Sequence, residues 1–171
     1  MANPADVELR QPSASDAERL GRMHYGSWRD AYSSFLPADF WGNATEQRWI
    51  NSWVKNLQVP RSDSVTWIAQ RDDEVLGFAT VGPARPNSTA GTPVRDLELW
   101  SIYVRMSEYR SGLADRLLET VLPHSAPAEL WTFEANARAR RFYSRHGFEW
   151  DGARHVFGPE LGHQAEIRMV R

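Results

Sequence analysis

The stretch SIYVRMSEYRSGLADRLL, residues 101 to 118, constrains this chain more than any other. It opens with β-branched and aromatic residues, passes through a polar turn with one glycine, and continues as an apolar stripe without proline. A strand that runs into a helix this way leaves the first backbone N–H groups of the helix without partners, at the positive end of its dipole. Such an end is suited to phosphate groups. Gly112 allows close approach to the backbone, and Ala114 is small enough not to obstruct it. The turn is not a nucleotide P-loop, because no Gly-Lys-Ser/Thr follows, nor a dinucleotide fingerprint, because the Gly-x-Gly-x-x-Gly spacing is missing.

The flanking segments say what surrounds this unit. VELRQ (7 to 11) reads as a first strand, and SASD (13 to 16) supplies capping residues for a helix through residues 17 to 32. Pro37 opens a short helical turn, and residues 45 to 57 carry Trp49, Ile50, Trp53, Val54 and Leu57 on one helical stripe. The period then changes: residues 65 to 70 and 75 to 82, joined by RDDE, predict a β-hairpin. RPNSTAGTP (85 to 93) is a turn-rich loop before a strand over 96 to 104. Leu113, Ala114, Leu117, Leu118, Val121 and Leu122 then recur at helical spacing, and Pro123 ends that helix. A strand at 129 to 134, a helix at 136 to 146 with Gly147 at its C-terminal end, and two closing strands complete the chain. This order predicts an α/β (α+β) fold, a mixed central sheet of about seven strands flanked by helices on both faces. With 171 residues, one domain over 1 to 171 is the expectation.

Composition excludes several classes of function. The chain has no cysteine, which removes disulfides, thiolate nucleophiles and cysteine metal sites. Its five histidines, His24, His124, His146, His155 and His163, show no metal-ligand spacing, so no metal is expected. A net charge of -2 gives no footprint for nucleic acid. No apolar run reaches the roughly 20 residues of a membrane helix, and MANPADVELRQ lacks the order of a signal peptide. The expected address is the cytoplasm, with no membrane partner.

A second segment sharpens the reading. In residues 130 to 152, Asn136, Ala139, Tyr143 and Gly147 follow at spacings of three, four and four, which places the first three on one side of a helix. This segment resembles the final helix of the GNAT family of acyl-CoA N-acyltransferases, Asn-x-x-Ala-x-x-x-Tyr-x-x-x-Gly-Phe, and the match continues through Phe148. The opening stretch is likewise similar to the family's coenzyme A motif, a strand ending in Tyr-Val followed by Arg/Gln-x-x-Gly-x-Gly/Ala. Two positions depart from that pattern. Met106 stands where the family usually has Pro, and Tyr109, with Arg110 beside it, where it has Arg or Gln.

The resemblance implies acetyl-CoA as co-substrate and assigns residues to it. Ile102, Tyr103 and Val104 would offer strand backbone to the pantetheine arm. Tyr109, Arg110, Ser111, Gly112, Leu113 and Ala114 would form the turn that cradles the pyrophosphate. Asn136 would bond the arm from the other side, next to Ala139. Tyr143 would protonate the leaving thiolate, a reasonable task for a phenol near pKa ~10 facing a thiol near ~8.5. Glu98 would act as base through a water, because an acceptor ammonium near ~10.4 has no lone pair at neutral pH. Strand alternation puts Glu98, Trp100, Ile102 and Val104 on one face. Trp28, Tyr32 and Trp100 are the aromatic residues expected at the acceptor.

The resemblance is silent on the acceptor; the function expected is transfer of an acetyl group to a primary amine of a small molecule, with a homodimer left open. Protein N-terminal or lysine acetylation is the alternative within catalysis, and a non-catalytic acyl-CoA-binding module the alternative outside it. The presence of both Glu98 and Tyr143 favours catalysis.

Overall fold

The computed structural model describes residues 6–43, 45–59, 61–86, 91–123 and 126–171. The N-terminal five residues, the centre of the loop expected at 85 to 93, and His124 lie outside them. Seven strands, β1 (Glu8–Arg10), β2 (Val65–Arg71), β3 (Glu74–Pro83), β4 (Leu97–Val104), β5 (Glu129–Phe133), β6 (Glu149–Val156) and β7 (Ala165–Val170), form one sheet in the order β1-β2-β3-β4-β5-β7-β6. Among the described residues only β4 and β5 pair in parallel. Helices α1 (Ala17–Tyr32), α2 (Ala38–Asn43), α3 (Glu46–Gln58), α4 (Leu113–Val121) and α5 (Ala137–Arg145) complete the fold. The mixed, helix-flanked sheet that the sequence predicts is the one observed.

Two apolar layers hold it. Leu20 and Met23 of α1 and Trp53 of α3 pack on Ile68, Val75 and Phe78 on one face of the sheet. On the other face Leu113, Leu117 and Leu118 of α4 meet Leu76, Ala79, Val81 and Leu99, and the layer continues through Leu130, Phe148 and Ile167. Fully burying side chains of this size is worth about 1.5–3 kcal/mol each. At the start of α1, Asp16 is fully buried and accepts hydrogen bonds from Arg10 (2.8 Å to each oxygen), Arg19 (2.7 Å) and the Ser13 N–H (2.7 Å). The Arg10 guanidinium and the Ser13 groups hold its carboxyl well below the usual carboxylate range.

Two irregularities position everything that follows. First, β4 and β5 share a single register pair, Glu98↔Glu129, and then part, so a cleft opens between them. Second, β4 is bulged. Leu99 pairs with Val81 but Ser101 pairs with Thr80, leaving Trp100 as the extra residue. The bulge inverts the alternation. Glu98, opposite Gly82, shares a face with Ser101 and Tyr103, whereas Leu99 joins Ile102 and Val104 over α4. The expectation that Glu98, Trp100, Ile102 and Val104 share one face is therefore corrected: an unbroken period of two cannot register an inserted residue.

Candidate active site

The cleft between β4 and β5 has a volume of about 690 Å³. Its floor is the exposed edge of β4, residues 99 to 104. One end is closed by the turn into α4. Gly112 is the N-cap there with φ +83, a left-handed conformation that other residues adopt only under strain, and a Cβ at this position would point into open space. Arg110, also at positive φ (66), lines the same end with Tyr109 and Ala114. Leu113 differs from its neighbours, because its side chain is buried in the α4 core and its N–H is shared with the Ser111 hydroxyl (3.2 Å).

The other wall is α5. Asn136 caps it, its side-chain oxygen accepting from the Ala139 N–H at 3.1 Å, which leaves the amide NH₂ of Asn136 as the group that can donate to a ligand. Asn136, Ala139 and Tyr143 all line the cleft. Arg138, Arg141 and Arg145 line it as well, and the Arg138 guanidinium lies 3.7 Å from the centre of the Tyr109 ring. That stack ties the turn before α4 to α5. It gives Tyr109 a structural partner at the point where the sequence leaves the family pattern.

Tyr143 is 9% exposed, between Phe142 and Phe148. Burial pushes its phenol up from the ordinary value, and the neighbouring Tyr32 adds to this. The hydroxyl is thus neutral across the physiological range, a donor rather than an anion. Tyr32 also lines this cleft and not the second cavity, its hydroxyl 3.0 Å from that of Tyr103. Burial raises the pKa of both phenols.

A second cavity, about 810 Å³, lies on the α1/α3 side and shares Trp100 and Ser101 with the cleft. Trp28, Trp49, Trp53 and Phe78 form much of its wall. Trp100 crosses it edge-on to β3, its Nε1 donating to the Pro83 carbonyl at 3.1 Å and its ring so close to Gly82 that a Cβ there would lie 2.5 Å from it. Glu98 lines neither space. Only 2% exposed, its carboxylate accepts from the Arg85 N–H (2.9 Å), Arg85 Nε (3.2 Å) and Arg85 Nη2. The Arg85 guanidinium lines the cavity and Glu98 sits behind it.

Two residues of the cavity escaped the sequence reading. Arg85 carried no signal, since only the fold brings it over Glu98. His24 did carry one, because His24, Trp28 and Tyr32 follow at spacings of four on α1. Its Nδ1 accepts from Trp53 Nε1 at 3.2 Å, and burial among Phe78, Tyr103 and three tryptophans lowers its pKa to about 3. Among the described residues no His/Cys/Asp/Glu group could hold a metal, and no helix is long and apolar enough to cross a membrane.

The arrangement has counterparts. Residues 25–148 match the model of the Acetyltransferase (GNAT) family. A Mycobacterium tuberculosis protein named Probable N-acetyltransferase Rv2775 is 28% identical over 168 residues, covering 93% of this chain and 89% of its own. The PaiA N-acetyltransferase of Thermoplasma acidophilum, solved in complex with coenzyme A, superposes with a TM-score of 0.63 at 16% identity, over 95% of this chain and 97% of that one. A GNAT-family acetyltransferase of Streptococcus pneumoniae gives a TM-score of 0.62 at 17% identity, over 96% and 98%. With most of its length inside the family model and its cleft at the parting of β4 and β5, the chain belongs to the GNAT family of acetyltransferases.

Proposed function

We propose that this acetyltransferase transfers acetyl from acetyl-CoA to a primary amine of a small molecule by direct attack. The observation that carries this reading is the junction of two spaces at Trp100 and Ser101, one suited to a phosphate-bearing chain and the other to an organic acceptor. The cleft fits coenzyme A chemically. Arg110, Arg138, Arg141 and Arg145 line it, and the turn at Gly112 presents helix N–H groups beside open space. Acetyl-CoA, when bound, supplies the acetyl group as a thioester.

The residues of the chain do the rest. The α4 turn and the arginines hold phosphate, and Asn136 donates its amide N–H to the arm. The acceptor nitrogen forms the new carbon–nitrogen bond as the carbon–sulfur bond breaks. Tyr143, kept neutral by its burial, hands its proton to the departing sulfur. The phenol regains a proton from solvent, to which the new amide has released the one it sheds. Glu98 holds Arg85 in the cavity wall in this reading, since its oxygens are occupied by that guanidinium. The aromatic wall favours the neutral amine instead, because an environment that discharges His24 also disfavours an ammonium ion.

Release of free thiol from acetyl-CoA in the presence of a panel of amines tests the proposal. Turnover with small primary amines supports it. Turnover confined to peptides with a free N-terminus or lysine would move the acceptor to proteins, and coenzyme binding without turnover on any amine would leave a binding module.

A further inference from the structure

The acceptor cavity has a charge pattern that narrows what can enter it. Its ionic lining consists of Arg48, Arg61 and Arg85, with no aspartate or glutamate among the lining residues. The residues outside the described set contain no acidic side chain either, so none of them can supply the missing negative charge. Two of the three arginines are themselves ion-paired. Arg85 gives Nε and Nη2 to Glu98, and Arg61 gives Nε (2.9 Å) and Nη2 (2.8 Å) to Asp63. In each case Nη1 has no partner among the described residues. Both guanidinium groups lie over Trp100, with Cζ 5.2 Å (Arg61) and 4.8 Å (Arg85) from the ring centroid. Stacking on one ring brings them together at one end of the cavity.

The α1 and α3 side of the cavity is rich in rings, with Arg48, Ser52 and Asn56 beside them on α3. Trp28, Trp49, Trp53 and Phe78 offer ring faces and edges, and His24 stands among them as neutral imidazole with Nδ1 committed to Trp53. A polycation would meet three arginines in the lining and no lining carboxylate of its own to pair with. An acceptor with an aromatic body and one carboxylate meets a ring-lined wall and the Nη1 groups of Arg61 and Arg85, which have no partner among the described residues. The volume of about 810 Å³ is ample for a bicyclic amino acid, since pockets for drug-sized ligands run from about 300 to 1,000 Å³.

We infer that the acceptor is an amine that also carries a carboxylate on an aromatic or similarly apolar body, an aromatic α-amino acid in the simplest case, with Arg61 and Arg85 as the residues that select for the acid group. The inference rests on the acetyl-transfer reading for the word acceptor, but its test reads binding and needs no turnover. Titration calorimetry on the protein saturated with coenzyme A compares tryptophan with tryptamine, which lacks only the carboxylate, and with spermidine. Tryptophan is expected to bind at least tenfold more tightly than tryptamine, with no heat from spermidine. Arg61→Gln should shrink the tryptophan-to-tryptamine ratio at least threefold, and Arg61→Lys should retain more of it. An unchanged stabilisation by coenzyme A verifies that each variant is folded. Equal affinity for tryptophan and tryptamine, binding of spermidine, no binding of tryptophan, or an unaltered ratio in Arg61→Gln would overturn the inference. Absence of thiol release with every amine would count against acetyl transfer alone and leave the binding preference standing.

Discussion

His24→Gln offers the sharpest quantitative test, because the energy at stake follows from one side chain. In the fold, burial among aromatic rings lowers the imidazole pKa from 6.5 to about 3. The unfolded chain keeps an ordinary value near ~6.5. Between these limits the unfolded state binds one proton more than the folded state, so stability rises with pH and falls on acidification. The loss sets in near ~6.5, grows by about 1.4 kcal/mol per pH unit, and stops growing below the folded value. It reaches about 1.4 kcal/mol near pH ~5.5 and about 2.7 kcal/mol near pH ~4.5. Glutamine does not titrate, yet still offers an oxygen to the Trp53 N–H, which His24 now receives at 3.2 Å. Urea unfolding followed by tryptophan fluorescence, for wild type and variant at both pH values and at neutrality, measures the difference. Carboxylates such as Asp16, whose lowered pKa contributes stability that is lost only as pH falls below ~3.9, act equally on both proteins and cancel. The stability gap between the proteins should shift by about 2 to 3 kcal/mol in favour of the variant between neutrality and pH ~4.5. A shift below about 1 kcal/mol would show that the cavity does not discharge its imidazole, and would remove the support for a neutral amine there.

Tyr143→Phe should leave the stabilisation by coenzyme A unchanged and lower kcat by ~10², measured by single-turnover thiol release; an unaltered rate would show that the thiolate leaves unassisted. Gly112→Asp should abolish the rise in Tm on adding acetyl-CoA, since it forces a side chain onto φ +83 and sets a carboxylate at the phosphate end; a retained shift would place the pyrophosphate elsewhere. Glu98→Gln should cost about 1.5–3 kcal/mol in urea unfolding through its lost bonds to Arg85. It should also keep the wild-type rise of kcat/KM with pH, and a loss of rate confined to low pH would restore Glu98 to the role of base.

Much of the architecture was legible because it is local. The apolar stripe and caps of α1 give residues 17 to 32 from the sequence, and the helix spans Ala17–Tyr32. The α3 stripe falls within one residue of Glu46–Gln58 at each end. The change from helical to alternating period at Val65 marks β2, and Pro123 follows α4 as expected. The site was legible where a motif fixed spacing along one helix, as for Asn136, Ala139 and Tyr143. It was illegible where two distant segments decide the outcome. The bulge at Trp100 exists only in the pairing of β4 with β3, so nothing in residues 97 to 104 alone reveals that Glu98 turns to the other face. Likewise Arg85 closes over Glu98 across 13 residues of chain, and Arg138 stacks on Tyr109 across two elements. Tyr32 follows the same logic. Its stripe on α1 is readable, but whether that stripe ends at the acceptor or in the coenzyme cleft depends on where α1 crosses the sheet.

The single register pair between β4 and β5 also bears on how the molecule opens. Strands β1 to β4 and strands β5 to β7 form two ladders that share one pairing, with the apolar layer beneath them and the bonds of Val94 and Arg95 to Glu129 and Arg171 as further links. Backbone amides in the two ladders therefore belong to units that can exchange with solvent separately, each at its own opening free energy. A ligand lying in the cleft touches β4 on one side and the α5 wall that follows β5 on the other. Occupancy then works as a strut between the units. Amide exchange in β5 and β7 should slow together with that in β4 when the cleft is filled, and two openings that were independent in the free protein should merge into one.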